Sequence, residues 1–375
     1  MPDWKKTNGG LSVRLLICAG GTGGGVYPAL AVHSALTTKI ADVDTLWVGG
    51  RGGIEESLVK RQGIAFESIP AAGLHGVGIA NLPRNLSLLA QGVVAARRLL
   101  KEFKPDVLFF TGGYVAAPVA LAGRSIPTLL FVPDIEPGLA LKSLRRFADQ
   151  VAVVTGQSQK YFRRKVRETG YPIRPDLALW DRETATRHLG ISGELPVLLV
   201  FGGSKGARSI NLAVINNLRD LLAKFEIVHL SGETDWTYVK HMREQLPMEL
   251  AVRYHALPYL HEMGAALAAA DLVVSRAGAS VLGEFPLFGL PAVLVPYPHA
   301  WRYQKVNAEF LAYRGAAVIL EDQRLNEQLM LTLNVLLDNR NKLKSMRAAM
   351  FELSHPRAAE KIANVLIELA GVKSL

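Results

Sequence analysis

Glycines cluster at four points of the sequence, and each cluster follows a short apolar run: residues 20–25, 112–113, 202–206 and position 278. A glycine-rich turn that leads from a strand into a helix offers unpaired backbone N–H groups and the positive end of the helix dipole, and both attract phosphate. One such turn alone is as often a tight connection that binds nothing. Four of them at the predicted carboxyl ends of strands indicate a ligand site, because ligands of open α/β sheets lie at that edge.

The turns favour one class of phosphate compound over two others. A dinucleotide-binding domain needs an acidic residue at the end of its second strand to hold the ribose, but residues 45–53 read TLWVGGRGG and end in glycines and Arg51. No G-x-x-x-x-G-K-[ST] sequence occurs, so the chain has no P-loop. The sequence therefore predicts a nucleotide or a nucleotide sugar as the ligand.

The elements that carry these turns occur twice and in the same order. The stretch 14–25 matches 196–207, where an apolar strand runs into a glycine turn. The stretch 106–131 matches 271–296, where a strand, a glycine turn and a small-residue helix lead to a proline and a further strand. This repetition predicts an α/β fold of two Rossmann-like, doubly wound domains that face one another across a cleft.

The Pro-bearing stretch 170–177 is the predicted linker between the two domains. We expect an N-terminal domain over residues 1–172, completed by a C-terminal helix within 356–375, and a second domain over 173–355. Residues 42–44, which spell D-V-D, are expected to form a solvated turn and not a metal-binding D-x-D motif. The predicted strands are 13–19, 45–49, 107–110, 128–132, 151–154, 197–201, 227–230, 252–254, 272–275 and 292–296.

The composition narrows the class of protein. The chain has 375 residues, a charged fraction of 20%, and no apolar run near the roughly 18 residues of a membrane span. Its single cysteine excludes a disulfide framework and fits a reducing cytoplasm. Residues 1–175 carry 22 Lys and Arg against 12 Asp and Glu, whereas residues 176–375 carry 21 of each. We therefore expect the first half to prefer anions, and we predict no nucleic-acid partner because aromatic residues do not interleave with the basic ones.

Six motifs, in order, resemble those of the MurG family, which are glycosyltransferases of family 28 with a GT-B fold. The resemblance implies inverting transfer of N-acetylglucosamine (GlcNAc) from UDP-GlcNAc to undecaprenyl-pyrophosphoryl-MurNAc-pentapeptide, which converts lipid I to lipid II in peptidoglycan synthesis. It also implies a peripheral protein on the cytoplasmic face of the bacterial membrane, with no metal or other cofactor. The motifs are GGTGGGVYPALAV (20–32), GGYVAAP (112–118), GYPIR (170–174), GGSKGARSIN (202–211), SRAGAS…GE…GLP (275–291) and VPYPHAWRYQKVNA (295–308).

The resemblance places donor binding in the second domain. Arg174 falls where the family has an arginine beside the donor, and the GGS turn faces the UDP phosphates. Glu284 matches the acidic residue that holds the ribose hydroxyls, for which a carboxylate with two acceptor oxygens is suited. The implied donor residues are Arg174, Gly203, Ser204, Glu284, Gln304 and Asn307.

The implied acceptor site departs from the family pattern. The family loop reads GGTGGH, and this chain has Gly25 in place of the histidine that is the usual candidate for the general base. The stretch FVPDIEPG stands where the family tends toward H-E-Q-N, and we hypothesise that its Asp134 acts as the base, although a carboxylate that only fixes its own turn is an equal alternative. His75 is a weaker candidate. The residues implied for the acceptor pyrophosphate are Gly21, Thr22, Gly23, Gly24, Gly25, Gly113 and Tyr114.

Residues 73–104 mix apolar and basic side chains in a pattern typical of contact with an anionic membrane surface. We expect the helical part from Leu86 to face its own core and the glycine-rich loop 73–82 to contact lipid. Three other interpretations stay open. They are a GT-B transferase with a different lipid acceptor, a UDP-sugar-binding homologue impaired in catalysis by Gly25, and an isomerase of the UDP-GlcNAc 2-epimerase type, which would leave the basic first half unexplained.

Overall fold

The computed structural model describes residues 12–20, 23–50, 52–53, 55–72, 82–162, 165–299 and 302–372. The chain divides into two compact units. The first unit comprises Met1–Ile173 together with Pro356–Leu375, and the second unit comprises Arg174–His355. His75, Gly21 and Thr22 lie outside the described residues, as does most of the loop 73–82.

The first unit is built on a parallel sheet of seven strands in the order β3-β2-β1-β4-β5-β6-β7. The order reverses between β1 and β4, which is the point where doubly wound folds bind ligands. The strands are β1 (Ser12–Cys18), β2 (Asp42–Gly50), β3 (Ala65–Ile69), β4 (Val107–Phe110), β5 (Thr128–Val132), β6 (Gln150–Val153) and β7 (Val166–Glu168).

The second unit has the same plan with six parallel strands in the order β10-β9-β8-β11-β12-β13. Here the order reverses between β8 and β11. The predicted α/β fold of two Rossmann-like domains is thereby confirmed. The strands are β8 (Val197–Phe201), β9 (Glu226–Leu230), β10 (Tyr254–Leu257), β11 (Leu272–Ser275), β12 (Ala292–Leu294) and β13 (Ala317–Ile319).

Helices cover the sheets of both units. Those of the first unit are α1 (Gly23–Lys39), α2 (Glu55–Arg61), α3 (Leu82–Phe103), α4 (Ala116–Ala122) and α5 (Leu139–Leu144). Those of the second unit are α6 (Arg182–Leu189), α7 (Arg208–Asn216), α8 (Leu218–Leu222), α9 (Trp236–Glu244), α10 (Met248–Ala251), α11 (Met263–Ala269), α12 (Glu284–Phe288), α13 (Tyr303–Tyr313), α14 (Leu325–Asp338) and α15 (Arg340–Glu352). The last helix, α16 (Ala358–Leu369), returns to the first unit and packs against α1 and β5.

The central strands are apolar throughout because helices cover both faces of each sheet. In β4 and β5 every residue is buried, and β8 is buried over its first four residues. This burial explains why these strands are recognisable in the sequence as continuous apolar runs. Each unit holds its own core, which the first unit builds around Leu16 and Leu108 and the second around Leu198 and Val274.

The strands that the sequence analysis misses are β3, β7 and β13, which are all at sheet edges. β7 and β13 have three residues each, and the middle of β3 is exposed, so none shows the apolar run of a central strand. The strand expected at 252–254 is wrong in position. Val252 is 62% exposed in the turn after α10, and the strand that pairs with β9 starts at Tyr254.

The turn expected at residues 42–44 is also wrong. Asp42, Val43 and Asp44 belong to β2 and pair with Ser12, Val13 and Arg14 of β1. Desolvation raises the pKa of Asp44, and the positive charge of Arg14 partly opposes that shift. The strand begins before the apolar run because backbone pairing to β1 continues through its polar residues.

Candidate active site

The front glycine turn comprises residues 20–25, of which the structure describes Gly20 and Gly23–Gly25. Gly20 lies just after β1, and Gly23–Gly25 are the first residues of α1. Two side chains hold its backbone. The hydroxyl of Thr111 donates to the carbonyl oxygen of Gly25 over 2.7 Å, and the hydroxyl of Tyr171 donates to that of Gly24 over 3.5 Å. The first N–H groups of a helix have no partner within the helix, so this turn presents donors at the positive end of the α1 dipole.

A buried carboxylate lies beneath the start of this turn. Glu55 is 2% exposed, and its Oε1 accepts a 3.0 Å hydrogen bond from the backbone N–H of Gly50. Within the described ranges, its Oε2 has no hydrogen-bond partner. A Cβ atom at Gly20 would lie 2.6 Å from Glu55 Oε1, and one at Gly53 would overlap the same carboxylate. The Glu55 carboxylate fills the side-chain space at both positions, so a larger residue at either one would have to displace it.

Gly25 meets no such obstacle. A Cβ atom there would have Thr111 Oγ1 at 3.4 Å and the carbonyl oxygen of Gly20 at 3.7 Å as its nearest neighbours, which are ordinary contacts. The residue also lies in the helix and has no positive φ. Packing therefore does not explain the absence of a side chain at the position where the resembled family has its histidine.

A second turn of the first unit packs against the front glycine turn. Gly112 and Gly113, which follow β4 after Thr111, have φ values of 139° and 87°. A Cβ atom at Gly113 would lie 3.4 Å from both the nitrogen and the oxygen of Gly20, so the two turns are in contact. Tyr114 follows them and is 58% exposed. The predicted acceptor residues that the structure describes are therefore neighbours at one edge of the sheet.

Asp134 and Glu136 lie in the loop that follows β5. This strand pairs with β4 in the sheet of the first unit. Asp134 is half-buried, whereas Glu136 is buried and its Oε1 accepts from Lys142 Nζ over 3.2 Å. The hydroxyl of Ser158 donates to the carbonyl oxygen of Ile135 over 2.8 Å and fixes the loop. Glu136 is occupied by an ion pair, and Asp134 is the more exposed of the two carboxylates.

The rear glycine turn, residues 202–206, connects β8 to α7 in the second unit. Gly203 and Ser204 are exposed at its tip. At the base, a Cβ atom at Gly206 would overlap the carbonyl oxygen of Ser231, and one at Gly232 would lie 2.5 Å from the backbone of Lys205. The turn is thus pressed against the backbone that follows β9.

Glu284 and Arg174 lie close enough in the second unit to interact electrostatically. Desolvation raises the pKa of Glu284 to about 7, and a hydrogen bond from Ser280 and the positive charge of Arg174 oppose that shift. Arg174 Nη1 is also 3.6 Å from Asp176 Oδ2. The fold therefore brings these two predicted donor residues, 110 positions apart, into one polar cluster.

The two amides predicted to read the sugar lie on α13 and differ in their surroundings. Gln304 is half-buried, and its Oε1 accepts from the backbone N–H of Tyr297 over 2.8 Å. Asn307 is fully buried, and its Nδ2 donates to the carbonyl oxygen of Ala277 over 3.1 Å. Asn307 thereby supports the turn after β11, a role that the sequence analysis does not foresee.

Arg276 is a further polar residue of this region. It lies within a motif noted in the sequence, but sequence reasoning assigns it no role of its own. Its guanidinium donates to Asp322 Oδ1 over 2.5 Å, to Ser209 Oγ over 2.8 Å and to the carbonyl oxygen of Val295 over 3.1 Å, and it lies over the Tyr297 ring. The only signal was its place in the motif 275–291. Among the residues that the structure describes, no group of three or more His, Cys, Asp and Glu is arranged to hold a metal ion.

Known proteins resemble this chain along nearly its whole length. The models of the glycosyltransferase family 28 N-terminal and C-terminal domains match residues 15–161 and 197–362. Proteins of Roseiflexus sp. (strain RS-1) and Desulforudis audaxviator (strain MP104C) are each 39% identical, over 94% and 96% of this chain and 94% and 99% of their own lengths. Both are named UDP-N-acetylglucosamine–N-acetylmuramyl-(pentapeptide) pyrophosphoryl-undecaprenol N-acetylglucosamine transferase. The crystal structure of Acinetobacter baumannii MurG is 27% identical, covers 95% of this chain and 99% of its own, and has a TM-score of 0.76.

Proposed function

The chain belongs to glycosyltransferase family 28, and from this premise we propose that it transfers GlcNAc from UDP-GlcNAc to the MurNAc 4-hydroxyl of undecaprenyl-pyrophosphoryl-MurNAc-pentapeptide. The product would be lipid II, the substrate of peptidoglycan assembly. The observation that carries the proposal is the rear glycine turn, whose exposed Gly203 and Ser204 precede α7 in the unit that also contains Glu284 and Arg174. Together they offer complementary groups to a ribose diol and a diphosphate.

Donor binding follows from the chemistry of these groups. The backbone N–H groups of Gly203 and Ser204 and the N-terminus of α7 would hold the diphosphate, and the positive charge of Arg174 would favour the same anion. Glu284 would accept hydrogen bonds from the ribose hydroxyls, and Gln304 would contact the sugar. These donors and charges also stabilise the negative charge that develops on the leaving UDP, so we expect turnover without a metal and unaffected by a chelator.

Acceptor binding belongs to the first unit. The front glycine turn, Gly113 and Tyr114 lie at one sheet edge, where the α1 dipole favours an anion such as the acceptor pyrophosphate. The excess of basic residues in the first half supports an anionic acceptor. Gly21 and Thr22 belong to the same proposed site by sequence.

We propose Asp134 as the general base. In the reaction, the 4-hydroxyl oxygen forms a bond to C1 of GlcNAc while the bond between C1 and the UDP oxygen breaks, with inversion. The hydroxyl proton passes to the Asp134 carboxylate, because Gly25 has no side chain to accept it and Asp134 is the more exposed of the two loop carboxylates. His75 stays the second candidate for this role.

Contact with an anionic membrane is part of the same proposal. The expectation that the helix faces its own core from Leu86 onward holds only in part. Ala96, Leu100 and Phe103 of α3 are buried in the core, but Leu86 and Val94 are 49% and 51% exposed. The basic side chains of α3 are exposed beside them, including Arg84, Arg97 and Arg98. Apolar and basic side chains on one exposed helix suit the interface of an anionic leaflet on the cytoplasmic side. Within the described ranges, no helix has the length and hydropathy to cross a bilayer.

Vesicle sedimentation tests the membrane contact. We expect the protein to pellet with vesicles of phosphatidylglycerol and to stay in the supernatant with vesicles of phosphatidylcholine alone. Replacing Arg97 and Arg98 by Gln should reduce the pelleted fraction without changing UDP binding. Equal sedimentation with both kinds of vesicle would contradict an electrostatic contact.

The activity itself is tested by offering the purified protein UDP-GlcNAc and a lipid I analogue. We expect release of UDP and formation of the GlcNAc-MurNAc disaccharide. The altered loop at 131–138 favours one second candidate, which is a transferase with another lipid acceptor. Product with other glycolipids alone would support that candidate, and UDP binding without any product would support a binding protein.

A further inference from the structure

A chain of buried hydrogen bonds lies behind the rear glycine turn. His229, in β9, is fully buried, and its two ring nitrogens contact two other buried residues. Nδ1 lies 2.7 Å from the hydroxyl oxygen of Tyr254, and Nε2 lies 3.0 Å from Oδ1 of Asn211. None of the three side chains reaches the surface, so none can contact a ligand directly.

The partners of Asn211 determine which group donates in each of these buried hydrogen bonds. The Asn211 amide nitrogen donates to the carbonyl oxygen of Ser231 and to Asp235 Oδ2, each over 2.8 Å. Its Oδ1 is therefore an acceptor, and His229 must donate to it from a protonated Nε2. Burial lowers the pKa of His229 to about 3, so the ring is neutral and its Nδ1 accepts from the Tyr254 hydroxyl.

Asn211 in turn fixes the backbone against which the rear glycine turn rests. The Ser231 carbonyl that accepts from Asn211 is the group that a Cβ atom at Gly206 would overlap. The next residue, Gly232, has room for no side chain because the backbone of Lys205 is in the way. A shift of the Ser231 backbone would therefore shift the turn that presents Gly203 and Ser204.

We propose that His229 is a positioning residue for the diphosphate end of the nucleotide site, and this inference rests on the proposed donor binding. Its Nε2 proton holds Asn211 in the one orientation that supplies a donor to Ser231. Ser231 then keeps residues 202–206 in the shape that aligns their backbone N–H groups. Phosphate binding by backbone donors depends on such alignment, because a donor that is displaced or tilted loses most of its hydrogen-bond energy.

The test replaces His229 in two ways. In His229→Leu, Oδ1 of Asn211 loses its donor, whereas in His229→Gln the side-chain amide can donate in place of Nε2. We expect His229→Leu to weaken UDP binding by about tenfold and His229→Gln to recover most of that loss. The Kd for UDP is measured by titration calorimetry, well below the Tm of each variant. In steady-state assays, KM for UDP-GlcNAc should rise while kcat changes less.

A matched control comes from the other end of the same strand. Glu226, the first residue of β9, accepts from the backbone N–H of Ser192 and from His255 Nε2, both over 2.9 Å. Its contacts are at the end of β9 opposite the rear glycine turn. We expect Glu226→Gln to lower Tm and to leave the Kd for UDP within about twofold of the wild type.

The outcomes separate the inference from the proposed function. If the wild type binds UDP and His229→Leu binds it equally well at a reduced Tm, His229 is only structural and the inference is wrong. If the wild type binds no UDP, both the inference and the donor site are wrong. Should His229→Leu fail to fold, His229→Phe takes its place, because it fills the site with a ring that has no donor. We expect it to weaken UDP binding by about tenfold, and an unchanged Kd would overturn the inference.

Discussion

The glycine turns after β1 and after β8 occupy equivalent places in the two units, yet their glycines meet different neighbours. In the rear turn, Gly206 is pressed against the backbone of Ser231 and has a φ of 77°. In the front turn, Gly20 makes room for the Glu55 carboxylate, whereas Gly25 has space for a Cβ atom and lies in the first turn of α1. The rear turn is thus closed by packing, and the front turn keeps one position open.

This difference indicates at which glycine positions a substitution is compatible with the fold. A substitution at the base of the rear turn would disturb the backbone donors proposed for the diphosphate. A Cβ atom at position 25 of the front turn would meet only ordinary contacts, so packing at the Cβ does not require glycine there. We infer that chemistry at the front site can move to another side chain while donor binding at the rear site stays fixed by geometry.

The largest expected effect separates the two sites by function. Asp134→Asn removes the proposed base but keeps the size of the side chain, so kcat should fall by about 10²- to 10⁴-fold. The Kd for UDP should stay unchanged, because the rear site is intact. Turnover is measured as UDP release with the lipid I analogue, and UDP affinity by titration calorimetry.

A rescue experiment sharpens this prediction. Adding Gly25→His to Asp134→Asn supplies an imidazole where the family has one and where a Cβ atom fits. We expect this double variant to regain part of the lost turnover. Unchanged kcat in Asp134→Asn alone would remove this carboxylate from the mechanism, and His75→Asn would then be the next variant to assay.

The next prediction concerns the closed turn. Gly206→Ala combines an unfavourable φ with overlap at the Ser231 carbonyl, and we expect a loss of about 3 kcal/mol in the free energy of unfolding or UDP binding weakened by about 100-fold. Gly190→Ala is the matched control, because its φ is 69° but a Cβ atom there has no neighbour within 4 Å. The control should lose only about 1 kcal/mol. Both are measured by thermal unfolding and by UDP titration, and equal losses would show that the overlap is relieved.

A smaller effect should appear in the pH dependence of donor binding. Since desolvation raises the pKa of Glu284 to about 7, its carboxyl is largely protonated at pH 6 and ionised at pH 8. The ionised form accepts from both ribose hydroxyls, so UDP affinity should rise between pH 6 and pH 8. The terminal phosphate of UDP also loses a proton at about pH 6, so the pH dependence of wild-type binding contains both titrations.

The variant Glu284→Gln isolates the carboxyl from the phosphate. The phosphate of UDP titrates in the same way with the variant and with the wild type, so it does not affect their comparison. We expect the affinity of Glu284→Gln for UDP to be about tenfold lower than that of the wild type at pH 8 and to approach it at pH 6. Affinity is measured by calorimetry across this range, with 2′-deoxy-UDP as a second control. A constant ratio of the two affinities at all pH values would contradict the role of the ionised carboxyl.

The sequence predicts the repeated fold because its signals are local. Apolar runs such as those of β4 and β8 and the glycines after them are read within a few residues, and the resemblance to family 28 is confirmed by the family models. The edge strands β3, β7 and β13 are not predicted from the sequence, because they are strands through pairing to a neighbour and lack the continuous apolar run of a buried strand. Local signals therefore suffice for the order of the elements but not for the edges of the sheets.

The contacts that shape the site are of another kind. Nothing near Gly20 shows that the Glu55 carboxylate fills its side-chain space, and nothing near His229 shows that Asn211 needs its proton. These contacts join residues 18 or more positions apart on different elements, so they follow only from the folded backbone. The roles that sequence reasoning missed at Glu55, Asn307 and Arg276 all depend on contacts of this long-range kind.

The smallest predicted effect tests the open position of the front turn. Gly25→Ala adds a Cβ atom at 3.4 Å from Thr111 Oγ1 and replaces a helical glycine, so the free energy of unfolding should rise by about 0.5 kcal/mol. Gly20→Ala, five residues earlier, brings its Cβ atom to 2.6 Å from Glu55 Oε1 and should lower the free energy of unfolding by about 1–3 kcal/mol. Chemical denaturation of both variants measures the two changes. Opposite signs within one turn would establish that Gly20 is a packing requirement and Gly25 is not, whereas a loss in both would mean that position 25 is as closed as Gly206.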